Sequence, residues 1–397
     1  MIRDTHVLRE TAPVPEQQTV EEIQQAEHLA PVGWEGPAGE QTTTAAADPA
    51  PPPRMARRIG LSLIVLGLFA VAGALWESRV AARDAREYPM QGQLVDIGGY
   101  RLHIYCMGEG TPTVVMDSSL SESSRQWRFI QPAVSSFTRA CSYDRAGLGW
   151  SDPSPLPRSS EVMADELHAL LVNAGVGGPY VLVGHSFAGL SMRLYASKHP
   201  EEIVGMVLVD ADHPNRYMKS PSPLEELRFL FYRMAAPIGV ARLLGGCPVG
   251  PPRCSQYVDT LWAMWSSRAE SAAQARARGT LGTIPLAVIA HDPQFYPKVD
   301  GRAERQQFEY THLWQQLELA RLSPNSTFAI AKNTGHQIPT EGPEVVVHTI
   351  ERLTDAARGH KGPYSEQDVL AATRPLPPES DWKSTRTGGL IPARRSR

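Results

Sequence analysis

The sequence lacks any excess of positive charge. Its formal net charge is −3, with 39 Lys and Arg against 42 Asp and Glu, so the overall balance gives no reason to expect a nucleic-acid partner. It also lacks a His or Cys cluster with metal-ligand spacing and a glycine-rich phosphate loop. We therefore expect neither a metal nor another cofactor.

Large apolar side chains are scarce at both ends of the chain. Residues 1–53 are rich in Glu, Gln, Ala, Thr and Pro, and they end in Asp48-Pro-Ala-Pro-Pro-Pro53. Residues 374–397 contain Pro and Gly with little hydrophobic periodicity, and they end in a basic run. Segments of this composition cannot bury enough apolar surface to offset the entropy lost on ordering. Both are predicted to be disordered tails.

Charged residues are absent from Ile59 to Trp76. As a helix these 18 residues would be about 27 Å long, close to the thickness of the hydrocarbon core. We predict a single transmembrane helix over residues 59–76 that anchors the protein in the cell membrane. A cleaved signal peptide ending near Ala72-Gly73-Ala74 is one alternative, although such a peptide should begin closer to the N-terminus. A buried core helix is another, although it would carry polar residues along one side.

From residue 92 onward, short apolar strands alternate with amphipathic helices. This alternation predicts an α/β fold over residues 92–358, with a mostly parallel sheet covered by helices on both faces. Residues 214–282 interrupt it with helical patterns and are predicted to form a lid. The predicted strands are Gln93–Ile97, Arg101–Tyr105, Thr113–Met116, Arg139–Tyr143, Tyr180–Val183, Ile203–Val209, Leu286–Ala290 and Thr327–Ala331. The predicted helices outside the lid are Glu161–Asn173, Phe187–His199, Glu304–Leu322 and Glu344–Ala357.

A nucleophile motif lies between a predicted strand and a predicted helix. The segment Gly184-His-Ser-Phe-Ala-Gly189 has the G-x-S-x-G pattern with Ala188 in place of the second glycine. The turn from strand to helix is so sharp that only small residues fit two positions before and after the serine. The helix N-terminus stabilises negative charge that develops beside it. The motif predicts Ser186 as a catalytic nucleophile.

A serine nucleophile requires a general base. His336 stands in Asn333-Thr-Gly-His336, directly after the last predicted strand, which is where this kind of site carries its base. His185 is adjacent to Ser186 and should point away from it. His213 and His291 lie near strand ends and are weaker candidates.

Together these segments resemble the α/β-hydrolase superfamily over about residues 92–358. The loop Tyr143-Asp-Arg-Ala-Gly-Leu-Gly-Trp-Ser-Asp152 and the pair Val209-Asp210 support the resemblance. It implies an α/β-hydrolase fold and a serine hydrolase that cleaves an ester, thioester or amide of a small or lipid-like acyl substrate. A serine at the elbow argues against epoxide hydrolase and dehalogenase chemistry, which uses Asp there. A catalytically silent binding module at the membrane is the alternative function.

The resemblance also implies the remaining site residues. The triad acid is either Asp210, where haloalkane dehalogenases carry theirs, or Asp292, with Asp212 as a weaker candidate. The backbone N–H groups of Phe187 and Leu120 would form the oxyanion hole. The loop that holds Leu120 reads Asp117-Ser-Ser-Leu-Ser-Glu-Ser-Ser124, where the family usually has His-Gly.

The four cysteines bear on membrane orientation. Cys247 and Cys254 bracket a loop that a short disulfide could close. The resemblance implies that the second and fourth strands are neighbours, which would bring Cys106 and Cys141 within bonding reach. Two disulfides would place the domain in an oxidising, extracytoplasmic compartment. The arginines that flank the apolar run are equal in number on its two sides, so the positive-inside rule does not decide.

Overall fold

The central element is one eight-stranded sheet. The computed structural model describes residues 54–217, 221–295, 302–359, 382–384 and 390–392, so the predicted tail 1–53 lies outside the described residues. The strands of the sheet are β1 (Gln93–Asp96), β2 (Arg101–Met107), β3 (Thr113–Asp117), β4 (Ala140–Tyr143), β5 (Tyr180–His185), β6 (Ile203–Val209), β7 (Leu286–His291) and β8 (Ser326–Ala331). Their order is β1-β2-β4-β3-β5-β6-β7-β8.

Most of the sheet is parallel. β1 pairs with β2 and β2 with β4 in antiparallel fashion, whereas all pairs from β4 to β8 are parallel. Parallel strands require crossover connections, and helices supply most of them. The predicted α/β-hydrolase fold is confirmed. The helices are α1 (Arg54–Glu87), α2 (Gln131–Val134), α3 (Ser160–Asn173), α4 (Ala188–Lys198), α5 (Pro223–Ala235), α6 (Val240–Leu243), α7 (Cys254–Ser266), α8 (Arg268–Ala277), α9 (Arg302–Ala320), α10 (Ile338–Glu341) and α11 (Pro343–Ala357).

The two faces of the sheet each carry an apolar core. On one face Leu182 of β5 and Leu208 of β6 belong to a cluster with α3 and α4. On the other face Val181 and Val207 of the same strands belong to a cluster with α11. Because successive residues of a strand point to opposite faces, continuous apolar strands follow from helices on both sides. This rigid core holds the carboxyl ends of the strands in place.

α1 is longer than the predicted membrane segment. Its 34 residues contain an 18-residue apolar window with no residue buried, and by length and composition this helix could cross a membrane. The two buried residues of α1 are Glu77 and Asp84, both beyond Trp76. α1 thus combines an exposed apolar part with a polar C-terminal part that is packed against the rest of the chain.

The helical insertion, residues 214–282, lies between β6 and β7 and contains α5 to α8. α5 begins with a capping box, in which the Ser222 hydroxyl accepts from the Glu225 N–H and the Glu225 carboxylate accepts from the Ser222 N–H. Cys247 and Cys254 are within disulfide distance here, with Cα atoms 5.3 Å apart.

The second cysteine pair lies in the sheet. Cys106 of β2 and Cys141 of β4 face each other in register, with Cα atoms 4.0 Å apart. The strand neighbourhood that the resemblance implied is therefore present, and both cysteine pairs stand at disulfide distance.

Two short stretches of the C-terminal segment that was predicted as a disordered tail lie within the described residues. β9 (Trp382–Ser384) and β10 (Leu390–Pro392) pair in antiparallel fashion.

Candidate active site

The turn at Ser186 has the strained geometry that the motif predicts. Ser186 has φ +55°, in the left-handed region that non-glycine residues rarely adopt. A Cβ on Gly184 would lie 3.1 Å from the backbone carbon and oxygen of Ala188, and one on Gly189 would lie 2.6 Å from Cβ of Ala211. Small residues at these positions let the strand, the turn and α4 pack closely. The Ser186 N–H donates to Val209 O at 3.1 Å, which fixes the turn on β6.

Three predicted residues form one hydrogen-bonded line. Nε2 of His336, in the loop after β8, is 3.0 Å from Oγ of Ser186. Its Nδ1 is 2.6 Å from Oδ2 of Asp210, the residue that follows β6. Because the carboxylate can only accept, Nδ1 carries the proton and Nε2 can accept from the serine hydroxyl. This is the arrangement that a serine nucleophile and its base require.

Asp210 is fully buried and accepts from several groups besides His336. Its Oδ1 accepts from the backbone N–H of His291 at 3.0 Å and from Nε2 of His312 at 2.8 Å. Its Oδ2 accepts from Nδ1 of His291 at 2.8 Å. Nε2 of His291 is 2.7 Å from Oε2 of Glu309. Since both ring nitrogens of His291 face carboxylates, both must donate, and the ring is an imidazolium.

The electrostatics of this cluster favour an ionised acid. Burial alone would raise the pKa of Asp210, but the charges of His312 and His291 and their hydrogen bonds hold that pKa well below its usual value. Burial would lower the pKa of His291, but Asp210 and Glu309 raise it to about 10. At neutral pH the carboxylate of Asp210 therefore remains ionised, and the protons stay on the neighbouring histidines.

The geometry decides among the predicted acids. The carboxylate of Asp292 accepts from the backbone N–H groups of Gln294 at 2.9 Å and Asn333 at 3.2 Å, so it braces two loops. Asp212 receives a hydrogen bond from Arg216 at 3.1 Å. Of the three predicted acids, Asp210 is the one whose carboxylate lies at hydrogen-bond distance from Nδ1 of His336, at 2.6 Å. Asp210 and Asp292 follow neighbouring strands, but only Asp210 turns its side chain to the base.

The other histidines considered as bases have different surroundings. Nε2 of His185 is 2.8 Å from the backbone oxygen of His336, to which it donates. Burial, together with the neighbouring His336, lowers the pKa of His185 to about 3, so this ring stays neutral and holds the His336 loop. Burial, with the charges of Arg193 and Arg276, lowers the pKa of His213 to about 4. Both ring nitrogens of His291 are hydrogen-bonded to carboxylates, those of Asp210 and Glu309.

Of the two predicted oxyanion donors, Phe187 follows Ser186 in the chain, and Leu120 packs against the apolar cluster that contains Phe187. Phe187 is buried at the start of α4, and Leu120 is partly buried and packs against the same apolar cluster. Among the described residues, the backbone N–H groups of Phe187 and Leu120 have no acceptor. N–H groups without an internal acceptor are available to stabilise an oxyanion that develops in front of them.

A buried arginine holds the loop of Leu120, and sequence reasoning missed it. Arg145 donates through Nη1 to Oδ1 of Asp117 at 2.6 Å and to Ser118 O at 2.7 Å. Its Nη2 donates to Ser119 O and, at 3.4 Å, to Leu120 O. The guanidinium group thus donates hydrogen bonds to the carbonyls of three consecutive residues. The backbone N–H groups between these carbonyls therefore point away from Arg145. The signal was present, since Arg145 belongs to the Asp-Arg-Ala-Gly loop and Asp117 ends β3.

Two groups of described residues bring metal-type ligand atoms within 4.8 Å of one another. One consists of Asp210, His291 and His336, and the other of His168, His199 and Glu202. In the first group, N–H protons already join the rings to the carboxylate at 2.6–2.9 Å. Its geometry is that of a hydrogen-bonded cluster around a carboxylate.

Comparisons with known proteins place this fold among its relatives. Among curated proteins, the chain is 34% identical over 137 residues to an uncharacterized protein of Schizosaccharomyces pombe, covering 34% of this chain and 25% of that protein. It is 30% identical over 144 residues to an uncharacterized vacuolar membrane protein of Saccharomyces cerevisiae, covering 30% of this chain and 22% of that protein. The chain thus spans about a quarter of the length of these relatives.

Solved structures give the same fold. A thermophilic esterase from Thermogutta terrifontis superposes with a TM-score of 0.50 at 19% identity, covering 68% of this chain and 99% of that chain. The sequence also matches the alpha/beta hydrolase family over residues 114–349, more than half of its length. With the sheet order and the strand-to-helix elbow described above, this match establishes that the chain belongs to the alpha/beta hydrolase family.

Proposed function

We propose that this chain is a serine hydrolase that cleaves an ester, thioester or amide through an acyl-enzyme. The observation that carries the proposal is the line from Asp210 through His336 to Ser186, with distances of 2.6 and 3.0 Å. It is supported by the backbone of Ser186, whose φ of +55° is the strained turn that typically exposes a serine hydroxyl at the carboxyl end of the sheet.

Each residue of the line has a defined step. Oγ of Ser186 attacks the substrate carbonyl while its proton passes to Nε2 of His336. Asp210 stabilises the resulting imidazolium and keeps the ring in the required tautomer. The N–H groups of Phe187 and Leu120 hold the oxyanion, and one such donor is typically worth about 10²–10³ in kcat. The leaving alcohol, thiol or amine takes the proton, and a water molecule then releases the acyl group by the reverse path.

A cavity lies between the insertion and the segment that follows Leu120. Its volume is about 640 Å³. Phe229, Leu261 and Trp265 line it from the insertion, and Ser121 and Glu122 line it from the loop that follows Leu120. Apolar walls beside a few polar groups are typical of small-molecule sites.

Anchoring to a membrane is the second part of the proposal. The exposed apolar part of α1 supports a single crossing over residues 59–76. The relative from Saccharomyces cerevisiae is itself named a vacuolar membrane protein. The two cysteine pairs at disulfide distance support a catalytic domain on the oxidising, extracytoplasmic side.

Covalent labelling tests the catalytic proposal. The full chain, purified in detergent, is reacted with a fluorophosphonate probe and the adduct is mapped by mass spectrometry. We expect an adduct on Ser186 that is lost in Ser186→Ala and His336→Ala and kept in His199→Ala, a histidine that stacks on His168. Absence of the adduct from the folded wild type would contradict the proposal and favour a silent binding module.

A further inference from the structure

The outward side of α5 is apolar. Leu224, Leu227, Phe231 and Met234 follow one another at i, i+3, i+7 and i+10, and all four are exposed, Leu224 to 75% and Met234 to 71%. The opposite side of α5 faces the insertion and carries the partly buried Phe229 and Tyr232. A helix on the surface of a soluble protein has the reverse distribution, with its polar side outward.

The apolar surface continues beyond α5. Leu243 is 72% exposed at the end of α6, and Leu244 after it is also exposed. We call these residues the outer apolar face, and its members are Leu224, Leu227, Phe231, Met234, Leu243 and Leu244. Several exposed large apolar side chains in one part of a chain mark an interaction surface.

The segment between α5 and α6 packs directly on α1. A Cβ on Gly73 would lie 2.3 Å from the backbone oxygen of Ile238, so only glycine permits this approach. A Cβ on Gly239 would lie 2.6 Å from the ring of Trp76. Backbone therefore touches α1 at two points, one within the uncharged run and one at its end.

A buried ion cluster fixes the same contact. Arg242 of α6 donates to both carboxylate oxygens of Glu77 at 2.8 and 2.9 Å and to Asp84 at 3.1 Å. Glu77 and Asp84 are the two buried residues of α1. A bidentate arginine pair with a second acid holds orientation as well as position. The insertion is therefore attached to the end of α1 rather than loosely suspended near it.

These contacts set the level of the outer apolar face along α1. Gly73 precedes Trp76 by three residues, about 4.5 Å along the helix axis. Ile238, which contacts Gly73, is thus level with the last turn of the uncharged run. α5 ends at Ala235, three residues before Ile238. The C-terminal end of α5, which carries Met234, is consequently close to the level where α1 would leave the hydrocarbon.

We propose that the outer apolar face docks into the surface of the lipid bilayer that α1 crosses. The occupant is lipid, because α5 ends three residues before Ile238, which contacts α1 in the last turn of its exposed apolar run. The inference rests on the membrane anchoring proposed for α1 and is independent of the chemistry at Ser186. Burial of an apolar helix side at the interface is the usual way in which amphipathic helices bind membranes.

Fluorescence quenching in lipid tests this docking. The sequence has four cysteines and none is free, so a single added cysteine can be labelled with an environment-sensitive fluorophore. Phe231→Cys and Met234→Cys are labelled in the full chain and reconstituted in phosphatidylcholine nanodiscs. Quenching is measured with iodide in water and with spin-labelled lipids, which carry the label near the headgroup for positions 231, 234 and 172 and deep in the acyl chain for position 66. Leu66→Cys, on the exposed apolar part of α1, and Val172→Cys, 61% exposed on α3, are the matched controls.

Each outcome has a defined meaning. We expect the labels at positions 231 and 234 to lose iodide quenching, to shift their emission to shorter wavelength and to be quenched by the spin-labelled lipid, while the label at 172 shows none of this. Iodide quenching equal to that at 172 would overturn the proposal. Protection from iodide without quenching by lipid would also overturn it, because a second copy or another protein would then cover the face. If lipid fails to quench the label at position 66, both the membrane anchoring and the docking are contradicted. Fluorophosphonate labelling still tests the proposal for Ser186 independently.

Discussion

The carboxyl end of the sheet and the outer apolar face distribute polarity in opposite ways. At the sheet, Asp210, His291 and Glu309 are buried although all three are ionisable. On the insertion, Leu227 and Phe231 are exposed although both are apolar. Each region departs from the usual rule that charge lies outside and apolar groups lie inside.

The two departures differ in whether the chain itself compensates for them. Buried charge is tolerated when every charged group finds partners, and Asp210 has three histidines around it. The outer apolar face has no comparable cover within the described residues. The buried ionisable groups of the first region therefore have their partners within the protein. The exposed side chains of the second region are left for the lipid that we propose to cover them. The following predictions test this contrast, from the largest expected effect to the smallest.

Replacing the buried acid should have the largest effect. Asp210→Asn replaces an acceptor with an amide that cannot hold Nδ1 of His336 in its donor tautomer, so we expect kcat on an activated ester to fall about 10⁴-fold. Steady-state kinetics of the purified full chain measure it. Asp292→Asn is the matched control, since Asp292 accepts only backbone N–H groups in its described contacts, and its kcat should change far less. A larger loss in Asp292→Asn would reverse the assignment of the acid.

Arg145 should act on kcat through the oxyanion loop. Arg145→Lys keeps a positive charge beside Asp117 but cannot reach the carbonyls of Ser118, Ser119 and Leu120 together. We expect kcat to fall about 10²-fold, with KM nearly unchanged, because the loop serves the transition state. Arg158→Lys is the matched control, because it disturbs a buried pair with Glu166 that lies on α3. If both variants lost stability alone and kept kcat, Arg145 would have only a structural role.

His291 should make stability depend on pH in a defined direction. Its pKa is raised from about 6.5 when unfolded to about 10 when folded, because Asp210 and Glu309 outweigh burial. Its contribution is therefore complete below about pH 6.5 and is lost as pH rises through about 10. His291→Gln should lower the free energy of unfolding by about 3 kcal/mol at pH 6, and the difference from wild type should shrink by pH 10. Denaturant unfolding at both pH values measures this, and a difference that grows with pH would refute the charged imidazolium.

The sequence predicted the elements that carry strong local chemistry. Strand β6 begins and ends at the predicted residues, and the elbow at Ser186 and the loop of His336 lie where the motifs indicated. The sequence could not decide which aspartate contacts His336. Asp210 follows β6 and Asp292 follows β7, and these strands are neighbours. Which carboxylate reaches His336 depends on the turn after each strand, and Asp210 has φ +43° there, a conformation that no sequence pattern specifies.

Contacts between distant segments were also beyond the sequence. His312 and Glu309 lie on α9, some hundred residues from Asp210, and their helical periodicity resembles that of any amphipathic helix. In the same way, the apolar spacing of α5 predicts a helix with an apolar side but does not say whether that side faces inward. Only the packing of Phe229 and Tyr232 against the insertion shows that the apolar side of Leu227 and Phe231 faces outward.

The smallest effect should come from the outer apolar face itself, and this smallness is informative. Leu227→Ser removes an exposed side chain, so we expect the free energy of unfolding in detergent to change by less than about 0.5 kcal/mol, with the rate on a water-soluble ester unaltered. Val207→Ser, at a fully buried position of β6, should lower it by about 2–3 kcal/mol because it leaves a cavity and an unpaired hydroxyl. Chemical unfolding of both variants gives the comparison. If Leu227→Ser cost as much as Val207→Ser, the face would be packed against protein, and its apolar character would need no membrane. If it costs almost nothing, leucine at this position contributes little to folding, and a reason for it must be sought outside the folded chain.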